Sequence, residues 1–215
     1  MTAMPPTEIR PYRPTDEERW LRCRVLSFLH TAYYDDVVQR KPVRPTPSVE
    51  LVAVRGDTLV GILDAELGGD TAVIETVAVH PDHQGRGVGG RLLGTLLECL
   101  REQGVRRLDA WTRDDPATLA WYRSGGFTDH DHYLHVYADH DEVARPALPL
   151  LDTRSPQGSR PPPAPKVKAV VRAFGHADLA DEEELRAEFR RVHVCRRFTR
   201  PVGPPGPRTE RTLKS

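Results

Sequence analysis

Net charge, lysine, cysteine and long apolar runs are all scarce in this chain of 215 residues. The 31 basic and 31 acidic side chains balance, so no general attraction to nucleic acid or to an anionic membrane is expected. No apolar run approaches the roughly 20 residues that cross a bilayer. The first residues also lack the basic and apolar segments of a signal peptide. We therefore expect a cytoplasmic protein that binds neither nucleic acid nor membrane.

The three cysteines, Cys23, Cys99 and Cys195, are far apart and lie within helix or strand patterns. An odd number of widely spaced cysteines argues against a disulfide framework. We expect free, buried thiols in a reducing compartment.

Apolar periodicity predicts the elements that precede residue 80. It indicates a strand over residues 9–13 and a helix over 16–30, with Thr15 as its cap and Glu18 completing a capping box. A second short helix is expected over residues 31–38. Three strands should follow, over residues 49–55, 58–67 and 71–79. Short turns containing glycine join these strands, which predicts antiparallel neighbours.

Later elements follow from the same patterns. A leucine stripe predicts a helix that ends near Gly104, and a strand over 106–112 should run parallel to 71–79 because a helix connects them. Asp115 and Pro116 should start a further helix. The remaining expected elements are strands near 133–137, over 168–174 and over 192–198, and a helix over 179–191.

The stretch from Val77 to Leu93 carries the clearest functional signal. It combines the end of an apolar strand, a loop with glycine at 85, 87, 89 and 90, and the start of an amphipathic helix. Backbone N–H groups and the helix dipole at such a junction favour a phosphate group. The Gly-Lys-Ser/Thr of a Walker loop is absent. A dinucleotide fingerprint is disfavoured because three antiparallel strands are predicted before the loop.

The pattern Gln84-x-x-Gly87-x-Gly89, preceded by Val-x-Val-x-Pro, resembles the acetyl-CoA pyrophosphate loop of the GNAT family of N-acetyltransferases. A later Tyr-x-x-x-Gly-Phe, beginning at Tyr122, occurs at the spacing of that family. The predicted order of elements matches the family through residue 137. The resemblance implies an α/β (α+β) acyl-CoA N-acyltransferase fold, in which a mixed, mostly antiparallel sheet is flanked by helices on both faces.

The resemblance also implies how the cosubstrate acetyl-CoA would bind. Main-chain groups of Val77, Ala78 and Val79 would hydrogen-bond the pantetheine. The pyrophosphate would lie against the loop formed by Gln84, Gly85, Arg86, Gly87, Val88, Gly89 and Gly90. Arg86 and Arg91 could pair with phosphates of CoA. Asp115 stands where the family usually has an asparagine, so backbone contact is the expected interaction there.

Two residues would carry the chemistry that the resemblance implies. Tyr122 would hydrogen-bond the CoA sulfur and protonate the leaving thiolate, and Glu75 would accept a proton from a primary amine. The resemblance implies direct attack by the amine in a ternary complex, and the lack of a cysteine where a nucleophile would be needed agrees with this. From the residues alone, Tyr122 could also be a packed ring, and Glu75 could be an edge-facing or salt-bridged side chain.

The acceptor is not specified by any motif. Tyr33, Tyr34, Asp35 and Asp36 lie where the family often builds its acceptor-binding loop, and a solvated helix end would explain them equally well. The histidines of the segment 129–135 suggest a metal site. On a strand, however, only His130 and His132 would lie on the same face, and two histidines alone do not make a metal site. We expect no metal. The expected partners are acetyl-CoA and an amine acceptor, in a monomer or homodimer.

We expect a GNAT core over residues 1–137 and a proline-rich linker over 138–165. A C-terminal strand–helix–strand over 166–200 should complete the same sheet, and a disordered tail should follow over 201–215. A non-catalytic acyl-CoA-binding or sensing module with the same fold remains the alternative. An interaction domain without CoA is a third hypothesis.

Overall fold

The computed structural model describes residues 5–45, 47–143 and 172–203. The chain forms two compact units, one made of residues 1–131 and 197–215 and the other of 132–196. The strands are β1 (Thr7–Pro11), β2 (Ser48–Arg55), β3 (Thr58–Gly68), β4 (Thr71–Val79), β5 (Arg107–Arg113), β6 (Thr128–Ala138), β7 (Ala173–Ala177) and β8 (Arg191–Pro201). The helices are α1 (Glu17–Phe28), α2 (Val88–Glu102), α3 (Pro116–Ser124), α4 (His140–Val143) and α5 (Glu182–Glu188).

The first unit is built on a mixed, mostly antiparallel sheet. Its order begins β1-β2-β3-β4-β5, with the end of β8 beside β5. Strands β1 to β4 pair antiparallel, and β4 pairs parallel with β5 from Thr71–Arg107 to Ile74–Ala110. The predicted antiparallel trio and the parallel crossover are both confirmed.

Helices cover both faces of this sheet. On one face, Trp20 and Cys23 of α1 pack with Val52 and Ile62. On the other face, the leucines of α2 and the Tyr122 ring of α3 pack with alternate residues of β2, β3 and β4. The helix α2 lies so close to β3 that a Cβ on Gly61 would stand 2.9 Å from Val88 Cγ1. Strand β2 is therefore covered on both faces.

Two predictions about the first 40 residues are wrong. Asp16, and not Thr15, is the N-cap residue of α1, and its side chain makes no capping bond to that helix. Thr15 lies inside a 3₁₀ turn over Pro14–Asp16, and the Asp16 carboxylate closes this turn by accepting the Arg13 N–H at 2.9 Å. No helix follows at 31–38, where the chain makes turns. The Thr31 hydroxyl bonds to the Phe28 carbonyl and accepts the Tyr33 N–H, and such local bonds compete with a helix.

In the described part of the second unit, three strands form a sheet and α5 packs on it. Its strand order is β8-β6-β7, and Leu185 and Phe189 pack against alternate residues of β6 and β8. The α-helical part of the predicted helix over 179–191 is shorter than expected, because a 3₁₀ turn over Leu179–Asp181 precedes α5. Residues 144–171 and 204–215 lie outside the described residues, and with them most of the predicted linker, most of the predicted 168–174 strand and most of the tail. Of the described residues in the predicted linker and tail, α4 occupies part of the linker and Val202 of the tail is buried. The predicted domain division stays a prediction.

The cysteines are free thiols, as predicted, and Cys23 and Cys195 are buried while Cys99 is half-buried. Burial raises the pKa of the Cys23 thiol to about 11. None of the helices in the described part of the chain combines the length and the apolar character that crossing a bilayer requires.

One carboxyl group of the sheet is fully buried and makes stability depend on pH. Asp64 of β3 is 0% exposed, and its Oδ2 lies 3.2 Å from Lys41 Nζ. Burial raises the pKa of Asp64 to about 6, and the charge of Lys41 offsets part of that rise. The folded state therefore binds this proton more tightly than the unfolded chain does. The resulting stabilisation is complete below the ordinary aspartate pKa and is lost as the pH rises through about 6.

The variant Asp64→Asn has no ionisable group at this position. Its free energy of unfolding should therefore increase, relative to that of the unchanged protein, as the pH rises. We expect this relative gain to be about 2–3 kcal/mol between pH 4 and pH 8. Urea unfolding at a series of pH values measures it, with the exposed Asp57→Asn as the matched control. Parallel pH profiles for Asp64→Asn and the unchanged protein would contradict the assignment.

Candidate active site

The glycine-rich loop between β4 and α2 has an open, left-handed backbone. Gly85 and Gly87 have φ values of +69° and +73°, and Gly87 is the residue that precedes the first turn of α2. A Cβ at Gly85, Gly87 or Gly90 would meet nothing within 4 Å. Among the described residues, no acceptor takes the backbone N–H groups from Gly85 to Gly90. The loop thus presents several amides beside the positive end of a helix dipole.

Gln84 fixes this loop to the end of the preceding strand. Its Nε2 donates to the Val79 carbonyl at 3.0 Å, after a 3₁₀ turn over Pro81–His83. Arg86 is exposed beside the loop. Arg91, in contrast, donates to the Thr7 carbonyl of β1. Of the two arginines expected to pair with phosphates of CoA, Arg86 is therefore exposed, whereas Arg91 is held by β1.

Strands β4 and β5 separate beyond Ile74, which leaves an opening between 75–79 and 111–113 that we call the β4–β5 wedge. Pairing of β4 with β5 stops at Ile74–Ala110, whereas pairing with β3 continues to Val79. The separation coincides with a register shift, because Asp64 pairs with Thr76 and Ala65 with Ile74. Backbone groups from Thr76 to Val79 that face β5 have no strand partner among the described residues, so an extended chain could hydrogen-bond there.

Tyr122 is buried at the end of α3, within an aromatic cluster. Its ring stacks on Phe198 with centroids 5.1 Å apart and meets Phe127 edge-on at 5.2 Å. Burial raises the pKa of the Tyr122 hydroxyl, and the nearby Tyr33 phenol raises it further. Tyr33 in turn accepts the backbone N–H of Arg113, on β5, at 2.8 Å. The structure therefore brings two phenols together on the β5 side of the wedge.

Glu75 lies at the register shift of β4, and its surroundings are polar. Its side chain is 35% exposed, and its Oε2 is 3.3 Å from Arg44 Nη1. The same guanidinium contacts Glu66 at 3.1 Å and the Thr76 hydroxyl at 3.4 Å. The salt-bridged alternative for Glu75 therefore describes its contacts.

Arg44 is the site residue that the sequence did not indicate. It lies in the irregular segment that precedes β2, where prolines at 42, 45 and 47 mark only a crossing. Its partners come from β3 and β4, far along the chain, so no local spacing could have revealed the contact.

Two further residues near the loop have structural roles. Asp115 caps α3, with its Oδ2 accepting the Thr118 N–H at 2.9 Å. The predicted start of α3 is confirmed, and the carboxylate is engaged within the helix. Gly89 is needed for packing, because a Cβ there would lie 2.9 Å from the Trp121 indole nitrogen.

A family model described as "Acetyltransferase (GNAT) family" matches residues 11–127, more than half of the chain. The chain belongs to the GNAT family. The match covers the wedge, the glycine-rich loop and Tyr122, all of which lie in the first unit.

Curated relatives match part of this chain at moderate identity. The N-alpha-acetyltransferase RimI of Mycobacterium tuberculosis is 46% identical over 76 residues, which are 34% of this chain and 47% of that protein. The mycothiol acetyltransferase of Frankia casuarinae is 41% identical over 99 residues, which are 44% of this chain and 26% of that protein. This chain thus spans between a quarter and a half of the length of these two relatives.

A solved structure supports the fold. The PaiA N-acetyltransferase of Thermoplasma acidophilum, determined in complex with coenzyme A, has a TM-score of 0.50 at 14% identity. The comparison covers 59% of this chain and 92% of that one. The GNAT acyl-CoA N-acyltransferase fold implied by the motif is confirmed.

The histidines of β6 do not form a metal centre in the structure. His130 Nδ1 lies 2.9 Å from Asp131 Oδ2 on the exposed part of β6. Across the described ranges, no three histidine, cysteine, aspartate or glutamate side chains converge as metal ligands would.

The GNAT loop can be tested with a pair of glycine substitutions. Gly87→Ala and Gly104→Ala should each destabilise folding by about 1 kcal/mol, because both glycines are left-handed and have nothing within 4 Å of an added Cβ. Only Gly87→Ala should also weaken CoA binding, by about tenfold, since only its methyl group would enter the loop. Urea unfolding and calorimetric CoA titration measure the two effects. If both variants bind CoA with equal affinity, the loop is not part of the CoA-binding site.

Proposed function

We propose that this chain is an N-acetyltransferase that moves the acetyl group of acetyl-CoA to a primary amine by direct attack in a ternary complex. The observation that carries this proposal is the β4–β5 wedge. One wall of the wedge is an unpaired strand edge that ends in the glycine-rich loop, and Tyr122 and Glu75 come from elements that border it. Acetyl-CoA would fit this site, because its extended pantetheine could lie along the strand edge and its pyrophosphate against the loop.

The donor would bind mainly through the backbone. In this proposal the amides from Gln84 to Gly90 hold the pyrophosphate, and main-chain groups of Val77, Ala78 and Val79 bond the pantetheine as a neighbouring strand would. The open sides of Gly85, Gly87 and Gly90 support this arrangement, because no side chain competes for the space. Asp115 contributes through its backbone only, since its carboxylate caps α3.

The chemistry requires a free amine and a stabilised leaving group. Glu75 accepts a proton from the ammonium, and the neutral nitrogen attacks the thioester carbonyl to form a tetrahedral intermediate. The carbon–sulfur bond then breaks as Tyr122 donates its proton to the departing thiolate. The nitrogen loses its second proton to solvent as the amide forms, and solvent returns a proton to the Tyr122 oxygen. Burial raises the pKa of Tyr122, so the phenol keeps its proton at neutral pH but is a weaker acid, and it gives that proton up only as the thiolate develops. No metal takes part.

Positioning should contribute more than proton transfer. Aligning two bound reactants can supply about 7–11 kcal/mol of the barrier. A general acid or base adds a factor of about 10²–10⁴. The rigid packing of the Tyr122 ring supports positioning, because the ring is held by Phe198, Phe127 and Trp121.

The acceptor is proposed only as a primary amine. Arg44, Glu66 and Glu75 make the polar surface beside the wedge, and a cationic amine would compete with Arg44 for these carboxylates. The two curated relatives carry different names, a mycothiol acetyltransferase and an N-alpha-acetyltransferase. A cytoplasmic location and a monomeric or homodimeric state are part of the same proposal.

Release of free CoA thiol from acetyl-CoA, measured against a panel of amines, tests the proposal. The panel contains amino acids, polyamines, aminoglycosides, peptides with a free N-terminus and lysine peptides. At least one class should give turnover that depends on both substrates. In parallel, CoA at 100 times its Kd should raise the unfolding free energy by about 2.7 kcal/mol. Stabilisation with no turnover for any amine would favour the sensing module, and the absence of both would exclude the CoA site.

A further inference from the structure

The second unit contains a groove that the proposed acetyl transfer does not use. Its volume is about 590 Å³, and it opens between α5 and β7. The floor is apolar and includes Val136, Leu185 and Phe189, and the rim carries Asp178, Asp181 and Glu184. We call this feature the α5 groove.

The α5 groove exists because β7 presents small residues beside the helix. The helix α5 packs its apolar side chains onto β6 and β8, whereas β7 contributes Gly175 and Ala177 to the lining. Both of these residues are half-buried, so the groove is open to solvent along β7. Glycine and alanine leave unfilled the space that larger side chains would occupy.

The rim has a strong excess of negative charge. Residues 178–188 hold six carboxylates and one arginine, and that Arg186 is paired with Glu182 at 2.8 Å. Within the described part of the chain, no basic side chain forms an ion pair with Asp178, Asp181 or Glu184. All three rim carboxylates are exposed to solvent. An apolar floor under an unneutralised acidic rim is complementary to a ligand with an apolar centre and cationic flanks.

We propose that the α5 groove is a docking site for a basic peptide segment of a partner protein. An apolar side chain of the segment would fill the floor against Leu185 and Phe189, and flanking arginine or lysine side chains would pair with the rim. A volume near 590 Å³ lies within the range of about 300–1,000 Å³ that holds small ligands. The groove lies wholly within the second unit, so this proposal does not depend on the acetyl-transfer chemistry.

The test is a fluorescence-anisotropy titration of the full chain with a labelled nonapeptide of alternating arginine and leucine. We expect saturable binding that weakens as salt is raised, because exposed ion pairs contribute. The triple variant Asp178→Asn, Asp181→Asn, Glu184→Gln should bind about tenfold more weakly, the combined effect of three exposed ion pairs. Ala177→Leu, which fills the floor and keeps the rim charges, should also lose affinity.

Matched controls separate docking from general attraction to charge. The variant Asp57→Asn, Glu98→Gln, Glu102→Gln removes the same charge from exposed positions of the first unit and should bind like the unchanged protein. A peptide with serine in place of leucine should bind poorly. Circular dichroism checks that each variant is folded.

Three outcomes would overturn the docking proposal. The first is no binding of the arginine–leucine peptide, and the second is equal weakening by both triple variants. The third is binding that emerges only when Lys166 and Lys168 are replaced by glutamine, which would assign the groove to the chain's own basic segment. Turnover of acetyl-CoA with a small amine should be unchanged in the rim variant, so failure here is distinguishable from failure of the acetyl-transfer proposal.

Discussion

Tyr122→Phe is expected to lower kcat for CoA-thiol release by about 100-fold or more, the loss typical of removing a general acid. The substitution deletes one hydroxyl and retains a ring that is 3% exposed and stacked on Phe198. The affinity for CoA should change little, because the proposed contacts of CoA are mostly with backbone amides. The effect should therefore appear in kcat and not in the unfolding temperature.

The matched control is Tyr137→Phe, which removes the hydroxyl of a half-buried tyrosine in the second unit. Its kcat should stay within about twofold of the unchanged protein, an effect too small for a general acid. Thermal unfolding with and without CoA shows whether each variant folds and binds. If Tyr122→Phe folds, binds CoA and turns over at the normal rate, Tyr122 is only a packed ring.

Glu75→Gln is expected to lower kcat/KM by about 100-fold near pH 7, where an alkyl amine is almost entirely protonated. The deficit should shrink as the pH approaches 10, because the acceptor then arrives neutral and needs no base. A pH profile of thiol release with one good acceptor measures both the size and the direction of this change.

The control for this substitution is Glu66→Gln. Glu66 contacts the same Arg44 guanidinium from β3, at 3.1 Å. If Glu75 takes the proton, Glu66→Gln should keep most of its activity and show no recovery at high pH. Equal, pH-independent deficits in both variants would mean that the carboxylates only hold Arg44 in place.

Much of the first unit could be predicted because its signals are local. The glycine-rich loop and the turns between β2, β3 and β4 depend on residues that are adjacent in sequence. Asp115 and Pro116 likewise mark the start of α3 within one turn. Left-handed glycines and helix caps impose a conformation on their immediate neighbours, so each pattern specifies its own structure.

The parts that could not be predicted depend on distant partners. The contact of Arg44 with Glu75 joins an irregular segment to a strand, and the polar surroundings of Glu75 follow from it. In the segment 31–38, where the sequence predicts a helix, the Tyr33 hydroxyl accepts the Arg113 N–H of β5. Asp36 of the same segment pairs with Arg24 of α1. The spacing of apolar residues along the chain does not reveal either set of contacts.

The strand β8 has a consequence for the order in which the protein assembles during synthesis. Its first residues belong to the second unit and its last residues, from Arg197, to the first. Phe198, which stacks on Tyr122, and Arg197, which pairs with the buried Asp109 at 2.7 Å, are therefore made only after the whole second unit. A nascent chain that has reached residue 190 has its glycine-rich loop but still lacks one side of the aromatic cluster around Tyr122. The loop can be complete well before Tyr122 is fixed in place.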